Sequence, residues 1–364
     1  MPKNVFLQIN SSGCLTKCQH CWAQSKPFEH MPLSDVEEIL SKMKEYFAGR
    51  PEFDLMPFPM FEELAHPETV AQMKLFRKYG MTNEDMPTSG IALAVRPDWK
   101  EILDSIKELE IPSVVLSFHG IGATHDRAVS RKGAFEELKL ALERVRSAGI
   151  DIQFNVFITK DNIDEIPKLI NEVIVPDNAH EWIVICFALY NATSRGRKYE
   201  QIRADYADVE KISSTLAIYC SDDEAAPDEK KFLSEIKAYT EAELVRQALS
   251  LSDEERKKYK PGFINGIWLV ADQNFDLYTG KGNYLSACHG NIKKDNFSDI
   301  MDKALSDEPF GTLLSCFSKD ISDIDITELA EKYGDPEGQK VYLDGLNEIK
   351  NRWIDQAFAE WRRY

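Results

Sequence analysis

The sequence predicts an α/β protein, a partial (β/α)6 TIM-like barrel followed by a small α+β C-terminal domain. Three observations predict it. The first 200 residues alternate short β-branched apolar runs with segments of helical period, the pattern of successive βα units on a parallel sheet. Six such units can be traced, where a closed barrel has eight. Beyond about residue 262 the pattern changes to a hairpin and amphipathic helices.

Residues 5–9 form the first strand and run straight into a cysteine-rich loop. Residues 32–40 open a helix, with Ser34 as N-cap and Glu37 three positions on, a capping-box spacing. Residues 53–58 make a weak strand, and 68–79 a helix that Gly80 can stop. The third strand ends near Thr88-Ser89-Gly90, and a helix follows over 97–109. Residues 113–118 are the fourth strand, strongly β-branched, and 135–148 a helix closed by Gly149 at C′. Residues 152–159 give the fifth strand, 163–173 its helix, and 182–189 the sixth strand. From about 205 to 259 the chain is polar and helix-period, until Pro261-Gly262 breaks it. Residues 267–278 read as a hairpin turning at 272–274. The end, from about 326, is helical, with Tyr342, Leu346, Ile349, Trp353 and Phe358 near one face. Three parts are therefore expected: the barrel over 1–204, a helical connector over 205–262, and the α+β domain over 263–364.

Composition excludes several function classes. The 364 residues are 43% hydrophobic and 29% charged, an ordinary soluble balance. The net charge of −17 opposes an electrostatic grip on nucleic acid or an anionic membrane. No apolar run approaches the roughly 18–20 residues of a membrane span. The start, Met-Pro-Lys-Asn-Val-Phe-Leu, lacks the apolar core of a signal peptide, so a cytoplasmic protein is expected.

Cysteine placement is the most informative feature. Of seven cysteines, Cys14, Cys18 and Cys21 fall within eight residues, whereas Cys186, Cys220, Cys288 and Cys316 are scattered. An odd count with one tight cluster reads as reduced thiols around a metal. Three thiolates this close can hold three irons of a [4Fe–4S] cube and leave the fourth iron open to a small molecule. Zinc is the alternative, with His20 or a distant cysteine as fourth ligand. The loop follows the first strand, which puts it on the face where barrel chemistry sits.

The run Cys14-Leu-Thr-Lys-Cys18-Gln-His20-Cys21 resembles the signature of the radical S-adenosylmethionine (SAM) superfamily, and later segments extend the resemblance. Met60-Phe-Glu62-Glu-Leu-Ala-His66-Pro-Glu68 is similar to the family's GGEPLLHPE without its glycines, so Glu62 would bind the methionyl ammonium of SAM by a charge-assisted bond. Thr88-Ser89-Gly90 resembles the family's Thr-Asn-Gly. Residues 116–120, 124–127 and 132–135 resemble the "SLDG…HDRIRGxxGAF" run of members with SPASM or twitch C-terminal domains. His119 stands there in place of Asp, and Val129 in place of the second Arg, with Arg127 and Arg131 near enough to substitute. The resemblance thus implies cofactor contacts from His20, Glu62, Ser89, Ser117, Arg127, Arg131 and Asn155, the last on the fifth strand. Ser194-Arg195-Gly196-Arg197 resembles the "GRG" segment of the same subgroup.

Residues 276–300, with Cys288-His289-Gly290-Asn291-Ile292, are similar to the ending of SPASM and twitch domains. Only Cys288 and Cys316 lie in that region, too few for the usual four sulfur ligands of an auxiliary cluster. The resemblance implies SAM cleavage at the cluster and hydrogen abstraction by the resulting 5′-deoxyadenosyl radical, with a flavodoxin or ferredoxin as electron donor. Without an auxiliary cluster the expected outcome is redox-neutral: epimerisation, rearrangement or carbon–carbon bond formation. Cys186 is the expected hydrogen donor, with Cys288 as a second, and His119 is a further catalytic candidate. A small-molecule metabolite is the expected substrate. The alternatives are an oxidase or peptide-modifying enzyme with an auxiliary cluster, and a zinc-stabilised module without catalysis.

Overall fold

A computed structural model of the chain describes residues 3–19, 21, 30–59, 62–82, 84–175, 182–187, 201–220, 228–259, 266–281, 284–285, 288–306, 325–342 and 344–361. The six expected strands are present: β1 (Lys3–Ile9), β2 (Phe53–Pro59), β3 (Met86–Thr88), β4 (Ser113–Phe118), β5 (Asp151–Ile158) and β6 (Trp182–Phe187). Helices α1 (Leu33–Phe47), α2 (Thr69–Lys78), α3 (Ile91–Val95), α4 (Trp99–Glu108), α5 (Ala123–Val129) and α6 (Ala134–Ala148) fill the connections up to β5. Strands β3 to β6 pair parallel in chain order, and β1 pairs parallel with β2. Together they make the partial barrel.

Alternation along the strands separates two faces. On β5, Ile152, Phe154, Val156 and Ile158 are buried with β4 and the helices in one core, while Gln153, Asn155 and Phe157 are half-buried on the inner side. On β1, Val5, Leu7 and Ile9 pack beneath α1, leaving Phe6 and Gln8 inward. Parallel strands covered by helices need apolar residues outward, and this requirement fixes which side chains face the barrel interior.

The sheet has a break. Among the described residues, β2 and β3 share no strand pairing. On the other side, β7 (Gly266–Ala271) pairs parallel with β1, from Asn4↔Gly266 to Ile9↔Ala271. β7 then turns into β8 (Asp276–Lys281), with Asp272 Oδ1 accepting the amides of Asn274 and Asp276 at 2.8 and 2.9 Å. The hairpin expected within a separate unit therefore extends the barrel sheet, because the free edge of β1 offers unpaired backbone groups and an apolar outer face. Ile267, Leu269 and Ala271 complete the core under α1.

Two local expectations differ. Helix α1 begins at Leu33 with Pro32 before it and no capping side chain, so Ser34 lies inside the first turn. Proline is already set for this entry, with φ −53°. The single helix expected over 163–173 is a short 3₁₀ turn (Ile163–Glu165), one α turn (Ile166–Lys168) and a π segment (Leu169–Ile174), with Pro167 supplying no N–H in the middle.

The connector splits between two cores. Helices α8 (Tyr206–Lys211), α9 (Ser213–Cys220) and α10 (Glu229–Ala238) join the barrel core through Val209, Ile212, Leu216, Phe232 and Ile236. Helix α11 (Glu241–Ser250) packs instead with α14 (Ile326–Tyr333) and α15 (Gly345–Trp361) around Tyr342, Leu346, Ile349 and Trp353. Here α7 denotes Ile166–Lys168, α12 Asp253–Arg256 and α13 Phe297–Ser306. The side chain of Phe358 lies outside the described residues. Among the described residues no helix is long and apolar enough to cross a membrane.

Buried charges tie these helices down. Glu241, 2% exposed in its side chain, accepts from Arg352 at 2.5 Å and from the Tyr342 hydroxyl at 3.3 Å. Arg203, which follows β6 in the chain, sits 4.2 Å over the Tyr342 ring and 3.7 Å from Glu348. Removing one member of such a cluster leaves an uncompensated charge. Glu241→Ala is therefore expected to destabilise the protein by about 3–5 kcal/mol in denaturant titrations. A loss below about 1 kcal/mol would mean that the cluster is solvated.

Candidate active site

The cysteine loop leaves the C-terminal end of β1 and is pinned to the end of α5. Lys17 N–H donates to Val129 O at 3.0 Å and Gln19 N–H to Ala128 O at 2.8 Å. Leu15 and Cys18 pack on Ile91, Val129 and Ala134. Val129, where the resemblance led us to expect an arginine, thus serves as the apolar seat of the loop. Thr16, buried, lies between two thiols: its hydroxyl is 3.2 Å from Cys14 Sγ and 3.5 Å from Cys18 Sγ. All three loop cysteines are half-buried and in no disulfide. Burial pushes Cys14 up to about 11 and Cys18 up to about 12, so a positive centre is required to hold them as thiolates. Among the described residues, no three His, Cys, Asp or Glu side chains converge as a single metal ion requires. Cys14 and Cys18 flank Thr16, and the Cys21 N–H donates to Cys18 O at 3.1 Å, so one short loop offers three sulfur donors, the set an iron–sulfur cluster takes. His20 lies outside the described residues.

Glu62 spans the break in the sheet. It stands just after β2, before the 3₁₀ turn Glu63–Ala65, and its side chain is buried. Its carboxylate accepts from Thr88 Oγ1 at 2.6 Å and Ser89 N at 2.7 Å, across at the end of β3. Its carbonyl accepts from Ser12 Oγ at 2.9 Å, beside the cysteine loop. Burial raises the Glu62 carboxyl above its ordinary range, and the bonds from Thr88 and Ser89 oppose that rise. Glu63 points elsewhere, to Arg77 at 3.4 Å. The Ser89 hydroxyl, buried next to Glu62, also helps to hold its carboxyl down. Gly90 is required here: at φ +76° an added Cβ would lie 2.6 Å from Leu138 Cδ1.

Ser117 and Asn155 are direct neighbours in the β4–β5 register and both half-buried on the inner face. Two strands further on, Cys186 is paired with Phe157, also inward. The His119 ring stacks on Phe157 at 4.5 Å and 19°. Asn162 fixes both, donating to His119 O at 3.0 Å and Phe157 O at 2.7 Å. Burial lifts the Cys186 thiol to about 11, so its hydrogen is retained at neutral pH.

The arginines are placed differently. Arg127 is exposed and donates to Thr124 Oγ1 at 3.2 Å. Arg131 is held by Glu137 at 2.6 and 2.8 Å, with Nη1 3.5 Å from Leu15 O in the cysteine loop. Residues 194–197 and Cys316 lie outside the described residues. Sequence reasoning missed Thr16, Thr88, Asn162 and Glu165. Glu165 accepts from Ile121 N and Thr124 Oγ1, both at 2.7 Å, and so shapes the turn after β4. The only signal for such residues was their polarity beside a strand end.

His125 reports on the integrity of this turn. Its Nδ1 accepts the His119 N–H at 3.2 Å, which needs the neutral ring, and burial lowers its pKa to about 4. Its ordinary value is 6.5, so between these values the unfolded chain binds a proton that the folded chain does not. Stability from this group is complete above pH 6.5 and is lost as pH falls towards 4, about 3 kcal/mol in all. Denaturant midpoints of the protein and of His125→Gln, taken from pH 7.5 to 4.5, should diverge by that slope. Parallel curves would refute the assignment.

Residues 10–173 match the family model of the radical SAM superfamily. Over 207 residues the chain is 26% identical to the Fe-coproporphyrin III synthase of Methanosarcina barkeri, covering 56% of this chain and 47% of that protein. Over 219 residues it is 26% identical to the sporulation killing factor maturation protein SkfB of Bacillus subtilis, covering 58% and 48%. The chain thus spans about half the length of these curated relatives. Its fold is similar to that of anSMEcpe solved with bound AdoMet, with TM-score 0.52 and 16% identity over 99% of this chain and 98% of that one. The same protein with AdoMet and the Cp18Cys peptide gives TM-score 0.50, also at 16% identity over 99% and 98%. With its three-cysteine loop at the end of β1 inside the matched residues, the chain carries a radical SAM domain, the kind of domain whose cofactors are a [4Fe–4S] cluster and SAM.

Proposed function

We propose that this chain is a radical SAM enzyme in which Cys14, Cys18 and Cys21 hold the [4Fe–4S] cluster and Glu62, Ser89, Ser117 and Asn155 line the SAM site. The observation that carries the reading is the loop of three cysteines set beside the buried Glu62 carboxylate, which Thr88 and Ser89 hold from the next strand end. When bound, cluster and SAM supply a 5′-deoxyadenosyl radical able to take an unactivated hydrogen from a substrate. The chain's own part is placement. Glu62 offers a desolvated anion to the methionyl ammonium, where a charge-assisted bond is strongest. Ser117 and Asn155 offer adjacent polar groups on the inner face. Arg131 holds the cysteine loop through Leu15 O, so its role is positioning, and Arg127 meets a ligand only by leaving Thr124.

The substrate in this reading is a small-molecule metabolite and the outcome redox-neutral. The sequence beyond residue 262, which resembles the ending of a SPASM or twitch domain, holds Cys288 and Cys316 alone, which supports a single cluster over an electron-exporting pair. Cys186 is the hydrogen donor: it gives its S–H hydrogen to the substrate radical, and the thiyl radical left behind takes an electron from the flavodoxin- or ferredoxin-type partner and a proton from solvent. His119, stacked beside it on Phe157, borders the reacting group. A peptide substrate is the second reading, favoured by the full-length fold likeness to a structure holding a peptide.

Anaerobic reconstitution tests this. About four irons per chain and an EPR signal that shifts on adding SAM are expected. Cys18→Ala should lose the iron, and Glu62→Gln should keep it while weakening the SAM shift at least about ten-fold in SAM concentration. Zinc, or iron indifferent to SAM, would overturn the proposal, and about eight irons would turn the reading to oxidation of a peptide.

A further inference from the structure

The inner face of the β7–β1–β2 sheet carries features that the cluster and SAM do not use. Trp268 on β7 stacks on Phe6 of β1, with centroids 4.6 Å apart and planes at 20°. Phe58 of β2 meets the same indole edge-on, at 5.6 Å and 84°. All three rings are half-buried, whereas the opposite face of these strands is closed by α1. Gln8 lies two residues beyond Phe6 on the same face, paired in register with Phe58 on one side and Val270 on the other. It is 3% exposed, and its Oε1 is buried with no hydrogen-bond partner. One step nearer the cysteine loop, Asn10 Oδ1 is buried and equally unpartnered. A buried acceptor left open costs free energy, which a ligand donor can recover. Phe6, Gln8, Met56, Phe58, Trp268 and Val270 are all uncharged, and the charged residue on the same face of β2, Asp54, is exposed at the far end of the strand, in register with Asn4.

We infer that this wall is the substrate-anchoring subsite, and that it takes an uncharged, flat, conjugated ring bearing an N–H donor. The inference rests on the proposed function for its catalytic meaning. The stacked Phe6–Trp268 pair gives a flat apolar surface, and Phe58 stands across it as an end-stop. Gln8 Oε1 supplies orientation, accepting the ring N–H where no water-filled surround competes. Asn10 Oδ1, higher on the strand, accepts from a second donor on the side towards the cluster. The C-terminal hairpin thus contributes a specificity-determining residue, Trp268, to the barrel.

The probe is indole, with 1-methylindole as the same ring without its N–H. Both are titrated into the reconstituted, SAM-loaded protein by saturation-transfer NMR. Indole should bind about ten-fold tighter than 1-methylindole. Gln8→Leu should bring that ratio to about one, and Trp268→Leu should weaken both ligands about ten-fold. Equal affinities for the unmutated protein, or no binding of indole, would overturn the inference even if a variant fails to fold. The SAM-dependent EPR shift is recorded on the same samples: an intact shift with no ring preference defeats the subsite alone, and a missing shift defeats the proposed function.

Discussion

One buried carboxylate holds the site together. The strand pairing lapses between β2 and β3, and at that gap Glu62 reaches across to Thr88 and Ser89 while its backbone takes the Ser12 hydroxyl. Three strand ends, β1, β2 and β3, are thereby referenced to a single residue. A buried anion so held is stabilised by its donors and destabilised by desolvation, and these terms pull its pKa in opposite directions. A cationic ligand beside it relieves the second term without disturbing the first. In the proposed reading the same residue is therefore brace and binding group, with its carboxylate and its carbonyl both engaged.

The other edge of the barrel is governed by a different constraint. β1 would be a long apolar edge strand with an open ladder, and β7 removes that liability by pairing along six residues. Closure in this way draws C-terminal sequence into the wall of the barrel, so the unit that a sequence reading separates at residue 263 shares a core with β1 and α1. The Arg203 and Glu241 clusters repeat the pattern at the other end, joining the segment after β6 to the last helix.

Much of this was legible in the residues. The strand expected over 152–159 runs from Asp151 to Ile158, Gly149 stops α6 in a left-handed turn at φ +66°, and Asp272 organises the hairpin turn. These are local rules, with all partners within a few positions. What was not legible is non-local or depends on one proline. No periodicity announces that β7 will pair with a strand some 260 residues earlier, nor that Gln8 Oε1 will be left without a donor between Phe58 and Val270. Ser34 looked like a cap because the capping-box spacing is right, yet Pro32 already set the entry to α1.

The run Thr124-His125-Asp126-Arg127 shows why a matching motif and a catalytic role are separate questions. Thr124 is engaged by Glu165, and His125 by the His119 amide. Asp126 accepts the amides of Gly133 and Phe135 at 2.6 and 2.9 Å, which starts α6. Arg127 offers its carbonyl to the Gln19 side chain of the cysteine loop at 3.1 Å. Gly120 admits the arrangement, since a Cβ there would lie 2.8 Å from Glu165 Oε2. Every member of the run is thus occupied in bending the chain after β4 and in seating the loop. What the turn delivers is His119 against Phe157, within one strand pair of Cys186. In this run many bonds converge on one bend, and in the proposed reading the chemistry falls to the side chains that the bend presents.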